Sequence, residues 1–218
     1  MTKLFISVAL IFVGINGFTQ SVRTEKGYIA VHGGLAAPVG DFGAIELNEK
    51  SGFAEPGINV AVEGVILINN YFGVGATFGK RINTVDTDAL TSVFQSYGAT
   101  ITASKWKTNY ALADAVLRYP IDDRISVYAK GGIGKAWNTA AEIVVKPSGG
   151  KTLRQYESKD SAPAYAVGLG FRNNLGKIGI GIEGNYFTTR SEFVDLNNVK
   201  YNQQMNSLNF DFMLSISF

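Results

Sequence analysis

The sequence has no cysteine, one histidine and five prolines among its 218 residues. Without cysteine the chain cannot form disulfides, thiolate metal sites or a lipoprotein attachment site. Beyond the amino-terminal segment, no stretch approaches the roughly 18 consecutive apolar residues that indicate a membrane-spanning helix. The formal net charge is only +2, which is too balanced to indicate a nucleic-acid partner.

Glycine and aromatic residues are abundant, with 25 Gly, 10 Tyr and 14 Phe, and this composition is typical of chains rich in strands and turns. The carboxyl-terminal dozen residues alternate strictly in polarity. Because side chains in a strand point to opposite faces with a period of two, we predict a strand with one apolar face. Its apolar row consists of Leu208, Phe210, Phe212, Leu214, Ile216 and Phe218.

The amino end has the features of a secretory signal. Lys3 is followed by an apolar stretch over residues 4–13, and Gly17 and Thr19 supply small side chains for cleavage before Gln20. The alternative is a spanning helix, but ten or so apolar residues are too few to cross about 30 Å of hydrocarbon. We therefore predict a signal peptide at residues 1–19 and a β-barrel domain at residues 20–218.

Seven further segments have strand-like alternation, which gives eight strands in all. They are residues 27–35, 57–68, 71–81, 106–119, 124–137, 162–173 and 177–188. Short turns near Asn69, Asp122 and Leu175 alternate with long polar segments at 41–55, 82–105, 138–160 and 189–204. This alternation is typical of outer-membrane barrels, with tight periplasmic turns and long extracellular loops. We predict an all-β, eight-stranded antiparallel up-and-down transmembrane barrel with both termini in the periplasm.

The sheet should close, because an open edge in hydrocarbon would leave backbone N–H and C=O groups unpaired. Eight strands leave an interior that side chains can fill. Four acids and four bases fall on the inward faces, so we predict a plugged lumen with internal ion pairs, unless some of these charges lie in water beyond the membrane. The predicted network comprises Glu63, Arg81, Asp114, Arg118, Lys130, Arg172, Glu183 and Asp211.

Three features carry a resemblance to a known family: the run PVGDF at 38–42, the strand ending LRYPI at 117–121 and the terminal Phe218. Over residues 27–218 the chain resembles the small eight-stranded outer-membrane barrels related to the amino-terminal domain of outer membrane protein A, often called porin-like. The resemblance implies a Gram-negative outer membrane. It also implies that the barrel assembly machinery reads the last strand through Phe212, Leu214, Ile216 and Phe218. No peptidoglycan-binding domain follows the barrel in this sequence, so a cell-wall tether is not expected.

We expect a structural or surface-interaction role, with outer-membrane lipid as surroundings, a monomeric state, no nucleic acid and no identified partner for the loops. Enzymatic activity is not expected. His32 is the only histidine and has no serine within three residues, so we interpret it as a structural imidazole, and we expect no cofactor or metal. Two alternatives stay open: a narrow porin-like channel for small solutes, and a soluble secreted lipocalin-like barrel with its apolar faces inward.

Overall fold

The computed structural model describes residues 25–46, 51–93, 98–149, 151–194 and 199–218, so the predicted signal peptide lies outside the described residues. Twelve strands, one α-helix and a short 3₁₀ turn at Gly40–Phe42 occur in these ranges. In chain order they are β1 (Gly27–Val39), β2 (Gly57–Leu67), β3 (Phe72–Asn83), α1 (Thr87–Val93), β4 (Thr100–Ala103), β5 (Trp106–Pro120), β6 (Ile125–Thr139), β7 (Ile143–Lys146), β8 (Leu153–Gln155), β9 (Lys159–Leu175), β10 (Ile178–Val194), β11 (Lys200–Gln204) and β12 (Asn206–Ser217). The described residues contain no helix with the length and hydropathy that a membrane crossing requires.

Eight long strands form one closed antiparallel barrel. They follow one another around the wall in the order β1, β2, β3, β5, β6, β9, β10 and β12, and β12 pairs back onto β1 from Tyr28 opposite Ser217 to Val39 opposite Asn206. Closure gives every wall strand two hydrogen-bonded neighbours and leaves no open edge. The prediction of an eight-stranded up-and-down barrel is confirmed.

The wall is apolar outside and polar inside. On β12, Phe212 is 75% exposed on the outer surface, whereas its neighbour Asp211 is 4% exposed and faces the lumen. The same alternation runs along β9, where Leu169 is 70% exposed. So large a continuous apolar surface is unusual for a soluble protein and suits hydrocarbon. The lipocalin-like alternative is wrong because it needs these side chains at the centre of the molecule.

Three short turns define one end of the barrel, which we call the turn end. The Asn69 side-chain oxygen accepts the N–H groups of Tyr71 and Phe72 at 2.8 Å. Asp122 accepts two backbone N–H groups at 2.7 Å in the same manner, and Gly176 takes a left-handed conformation with φ of 78°. These residues favour turns because Asx side chains replace a backbone acceptor and glycine tolerates positive φ. Residues 25 and 218 both lie at this end, as the hydrogen bond between Lys26 and Phe218 indicates.

The opposite end, the loop end, differs from the prediction of polar surface loops. We call the described residues of 40–56, 84–105, 140–158 and 189–205 the cap. They contain α1, a small sheet in the order β4, β7, β8, and β11 paired with an extension of β10. Together with Trp106 at the start of β5, their side chains form a buried apolar cluster of Phe42, Phe53, Ala54, Val85, Leu90, Ile101, Trp106, Ala140, Ala141, Phe193 and Met205. Strand β10 exceeds its predicted bounds because it continues beyond the apolar wall into this cap, where Arg190–Val194 pairs with β11.

Candidate functional site

The middle of the lumen contains a lysine between two glutamates. The Lys130 ammonium from β6 lies 2.8 Å from a carboxylate oxygen of Glu183 on β10 and 3.4 Å from one of Glu63 on β2. His32 on β1 contacts the other Glu63 oxygen at 2.8 Å, and the Tyr128 hydroxyl donates to Glu183 at 2.9 Å. All five side chains are buried, so this layer fills the lumen with charge-assisted hydrogen bonds.

Two carboxylates oppose each other beside this layer. Glu183 and Asp211 are direct cross-strand partners, an arrangement that costs energy for like charges. Amide groups separate them: Asn185 donates to Glu183 at 3.2 Å and to Asp211 at 3.4 Å, and Asn59 donates to Asp211 at 2.9 Å. The Tyr110 hydroxyl then donates to Asn59 at 2.9 Å. The cavity beside these groups measures about 20 Å³, which is room for roughly one water molecule.

A second charged layer closes the turn end. Arg118 lies 2.8 Å from Glu25, and Arg172 contacts the same carboxylate. The Arg172 guanidinium also lies 4.1 Å from the centre of the Tyr28 ring, a cation–π distance. Glu25 precedes the first predicted strand, so the alternation that selected the other charges could not include it.

The loop end is closed by Arg81, which is almost fully buried. Its guanidinium donates to the hydroxyls of Ser207 and Thr108, the latter at 3.3 Å, and to the Met205 carbonyl at 3.2 Å. It lies 5.3 Å from the centre of the Phe42 ring and 5.0 Å from that of Phe187. Arg81 therefore joins the lumen to the apolar core of the cap.

The eight charged residues predicted from the sequence all face inward, but they do not form one network. Among the described residues, Lys130 is the only cation of the set that pairs with acids of the set. Asp114 instead accepts a hydrogen bond from Thr77 at 2.6 Å, and Asp211 depends on amides. Arg118 and Arg172 instead pair with Glu25, which is outside the predicted set, and Arg81 donates to neutral acceptors.

The predicted network contains only charged residues and omits the neutral polar groups of the lumen. Tyr110, Tyr128, Asn59 and Asn185 complete the hydrogen bonding of the lumen. Each of them lies at an inward position of its strand, so the same period-two pattern could have identified them. Buried carboxylates need such donors when the number of cations is insufficient.

His32, Glu63 and Glu183 bring three possible metal ligands within 4.8 Å of one another. The Lys130 ammonium already lies against both carboxylates and supplies the positive charge that a metal ion would bring. The donor set therefore fits an internal ion-pair cluster better than a metal centre. His32 is buried at mid-barrel with a glutamate as its neighbour, far from an exposed rim where a substrate would approach.

An apolar outer wall around a closed, polar interior defines a membrane-spanning β-barrel protein. The chain belongs to the family described as outer membrane protein beta-barrel domain, whose model matches residues 5–218. It is thus an outer-membrane β-barrel protein. No match was found among curated proteins.

Solved structures of outer-membrane proteins are similar in fold. A major outer membrane protein from Thermus thermophilus is 9% identical, with a TM-score of 0.51, and the match covers 88% of this chain and 99% of that one. Neisserial surface protein A is 11% identical, with a TM-score of 0.48 and coverage of 88% and 97%. Ail, the attachment invasion locus protein of Yersinia pestis, is 16% identical, with a TM-score of 0.47 and coverage of 88% and 98%. At 9% identity, the Thermus structure supports a shared fold alone.

Proposed function

We propose that the protein is a non-conducting outer-membrane barrel that holds a folded cap at the cell surface. The observation that carries this proposal is the filled lumen. Charged layers at Glu25 and Lys130 and the buried Arg81 succeed one another along the barrel axis. A hydrated solute pathway would have to break the contacts of all three layers, and the cap core covers the mouth beyond Arg81.

The proposed orientation places the cap outside the cell and both termini in the periplasm. In outer-membrane barrels the short turns face the periplasm and the long connections face the exterior. The described short turns are all at one end, together with residues 25 and 218. Labelling a cysteine introduced at exposed Tyr156 of the cap with a membrane-impermeant maleimide in intact cells tests this orientation. A cysteine at exposed Asp123 in a turn is the matched control and should react only after the outer membrane is permeabilised.

Conductance in planar bilayers tests the closed lumen. The purified protein should give no steady channels under conditions in which a wide porin conducts. Steady channels of uniform size would instead support the alternative, a narrow porin-like pathway for small solutes. A pair of matched variants extends the test. Arg81→Ala removes the side chain that closes the loop end and should raise the frequency of channel openings. Lys80→Ala, on the outer face of the same strand, should leave that frequency unchanged.

We also propose that the barrel assembly machinery recognises the last strand through Phe212, Leu214, Ile216 and Phe218. The side chains of Phe212, Leu214 and Ile216 form an exposed row on β12, and exposed Phe218 follows directly after the strand. The Phe218 N–H donates to the Gly27 carbonyl where the barrel closes. Phe218→Ala should reduce the amount of folded protein in the outer membrane of cells without preventing refolding in detergent. Ser217→Ala is the control on the opposite face.

A monomer surrounded by lipid is the proposed assembly, with no nucleic-acid partner. The closed sheet supports this, because no wall strand offers an unpaired edge to a second copy. Analytical ultracentrifugation in density-matched detergent should give the mass of a single chain.

A further inference from the structure

The outer surface of the barrel carries lysines on one side of its loop end. Lys80 on β3, Lys107 on β5, Lys135 on β6 and Lys159 on β9 occupy outward positions on four successive wall strands. The outward positions of β12, β1 and β2 bear no charged residue. We call the four lysines, together with Asn109 and Trp137, the lysine face.

The strand register places these residues around a common centre. Asn109 pairs with Lys80 on one side and with Trp137 on the other. Lys107 lies two residues from Asn109, and Lys135 two residues from Trp137, on the same outer surface. Paired residues on neighbouring strands are separated by about 5 Å, and residues two apart by roughly 7 Å. Four flexible ammonium groups can therefore reach one ligand over the Asn109–Trp137 pair.

The lysine face has an excess of positive charge. Lys107 and Lys159 share Glu157, at 3.7 and 3.5 Å, whereas Lys80 and Lys135 have no carboxylate partner among the residues that the structure describes. A shallow depression of about 510 Å³ lies on this surface, lined by Asn109, Trp137, Lys159, Asp160 and their neighbours. Counting Glu157 and Asp160 against the four lysines leaves two uncompensated positive charges.

The position of the lysine face along the barrel wall indicates the depth in the membrane at which its ligand lies. Along β3 the outward residue before Lys80 is Phe78, and along β6 the one before Lys135 is Ile133; both apolar side chains are 64% exposed. Trp137, the next outward residue, is 45% exposed. An indole ring next to lysines at the edge of the hydrocarbon is typical of the headgroup level of a bilayer. A single lysine there would only extend towards water, but four on adjacent strands with only two acids beside them attract a multivalent anion.

We propose that the lysine face binds a phosphorylated lipid of the outer leaflet, one whose headgroup carries two phosphate groups. Lys80 and Lys135 each form a charge-assisted hydrogen bond to a phosphate, Lys107 and Lys159 enclose the headgroup, and Trp137 packs beside it. This inference rests on the proposed orientation, because only that orientation puts the loop end in the outer leaflet.

The test measures lipid binding by the full-length mature protein in neutral detergent. Diphosphoryl lipid A is titrated into wild type and into the double variant Lys80→Gln/Lys135→Gln, with binding followed by native mass spectrometry. The matched control is Arg124→Gln/Lys177→Gln, which removes two exposed charges at the turn end. Heat-modifiable gel mobility confirms that each variant is folded. We expect the lysine-face variant to bind about tenfold more weakly, and the control to bind as wild type does.

Comparison ligands identify the chemistry. Phosphatidylcholine should not compete, and inorganic phosphate should compete only weakly because it lacks the acyl chains that contact the apolar wall. Full competition by inorganic phosphate, or equal lipid affinity in both double variants, would overturn the proposal. The binding assay in detergent does not depend on orientation, whereas maleimide labelling of cells does, so the two proposals can fail separately.

Discussion

Lys130→Met should destabilise the barrel by leaving two buried carboxylates without their cation. Lys130 contacts Glu63 and Glu183, both of which are almost completely excluded from solvent. Removing one partner of a buried ion pair costs about 3 to 5 kcal/mol. His32 remains hydrogen-bonded to Glu63 at 2.8 Å, so that carboxylate keeps one polar partner and we expect about 3 kcal/mol, the lower end of that range.

The measurement is reversible urea unfolding in phospholipid vesicles, followed by tryptophan fluorescence and heat-modifiable gel mobility. Lys135→Met is the matched control, because Lys135 lies on the same strand with its side chain outside the barrel. Adding Glu183→Gln to Lys130→Met should restore part of the lost free energy, since the neutral amide no longer needs a cation. Equal unfolding free energies for Lys130→Met and Lys135→Met would refute the central role given to this ion pair.

Three further predictions concern the wall, the cap and a turn. Phe212→Arg should cost about 2 to 4 kcal/mol, because arginine then faces mid-bilayer lipid, whereas Tyr119→Arg near the turn end should cost at most about 1 kcal/mol in the same vesicle assay. Trp106→Ala should destabilise the cap by about 3 to 5 kcal/mol, because the indole ring centre lies 5.6 Å from that of Phe42 and its N–H donates to the Gly52 carbonyl. Proteolysis within the cap should increase, while gel mobility stays that of a folded barrel. The control Trp137→Ala should leave proteolysis unchanged. Two backbone N–H groups hold the pKa of Asp122 below its ordinary value. Its stabilising effect is therefore present above the pKa of the unfolded chain and disappears as pH falls through the lower folded value. Carboxyl-carbon NMR should give a titration midpoint below that of an aspartate in the unfolded chain, and a midpoint at or above that of the unfolded chain would contradict the turn geometry.

The wall of the barrel could be predicted because its information is local. Each strand is evident from alternation over about ten residues, and turns such as that at Asn69 depend on one side chain and its immediate neighbours. The same parity placed Glu63 and Lys130 inside correctly. Parity alone does not determine which acid pairs with which base. The pairing depends on the shear of the closed barrel and on Glu25, which lies outside the alternating segment.

The cap could not be predicted for the opposite reason. Its core joins Phe42, Trp106 and Phe193, which are separated by long stretches of sequence and belong to three different parts of the chain. Each connection alone is mostly polar, and its few apolar residues have no local periodicity. Such residues form a core only when barrel closure brings their segments together, so the sequence pattern predicted loops where the structure has a folded layer.

The polar lumen is not in itself evidence of a transport pathway. Strands β9 and β10 have 17 residues each. If both of their faces were apolar, each strand would contain about as many consecutive apolar residues as a spanning helix, which has roughly 17 to 25. Export across the inner membrane would then stop at that segment. An exported barrel therefore needs polar side chains on alternate positions whether or not anything passes through it. Burying those side chains is costly unless they are paired, which accounts for the ion pairs, tyrosines and amides that fill this lumen without any requirement for a pore.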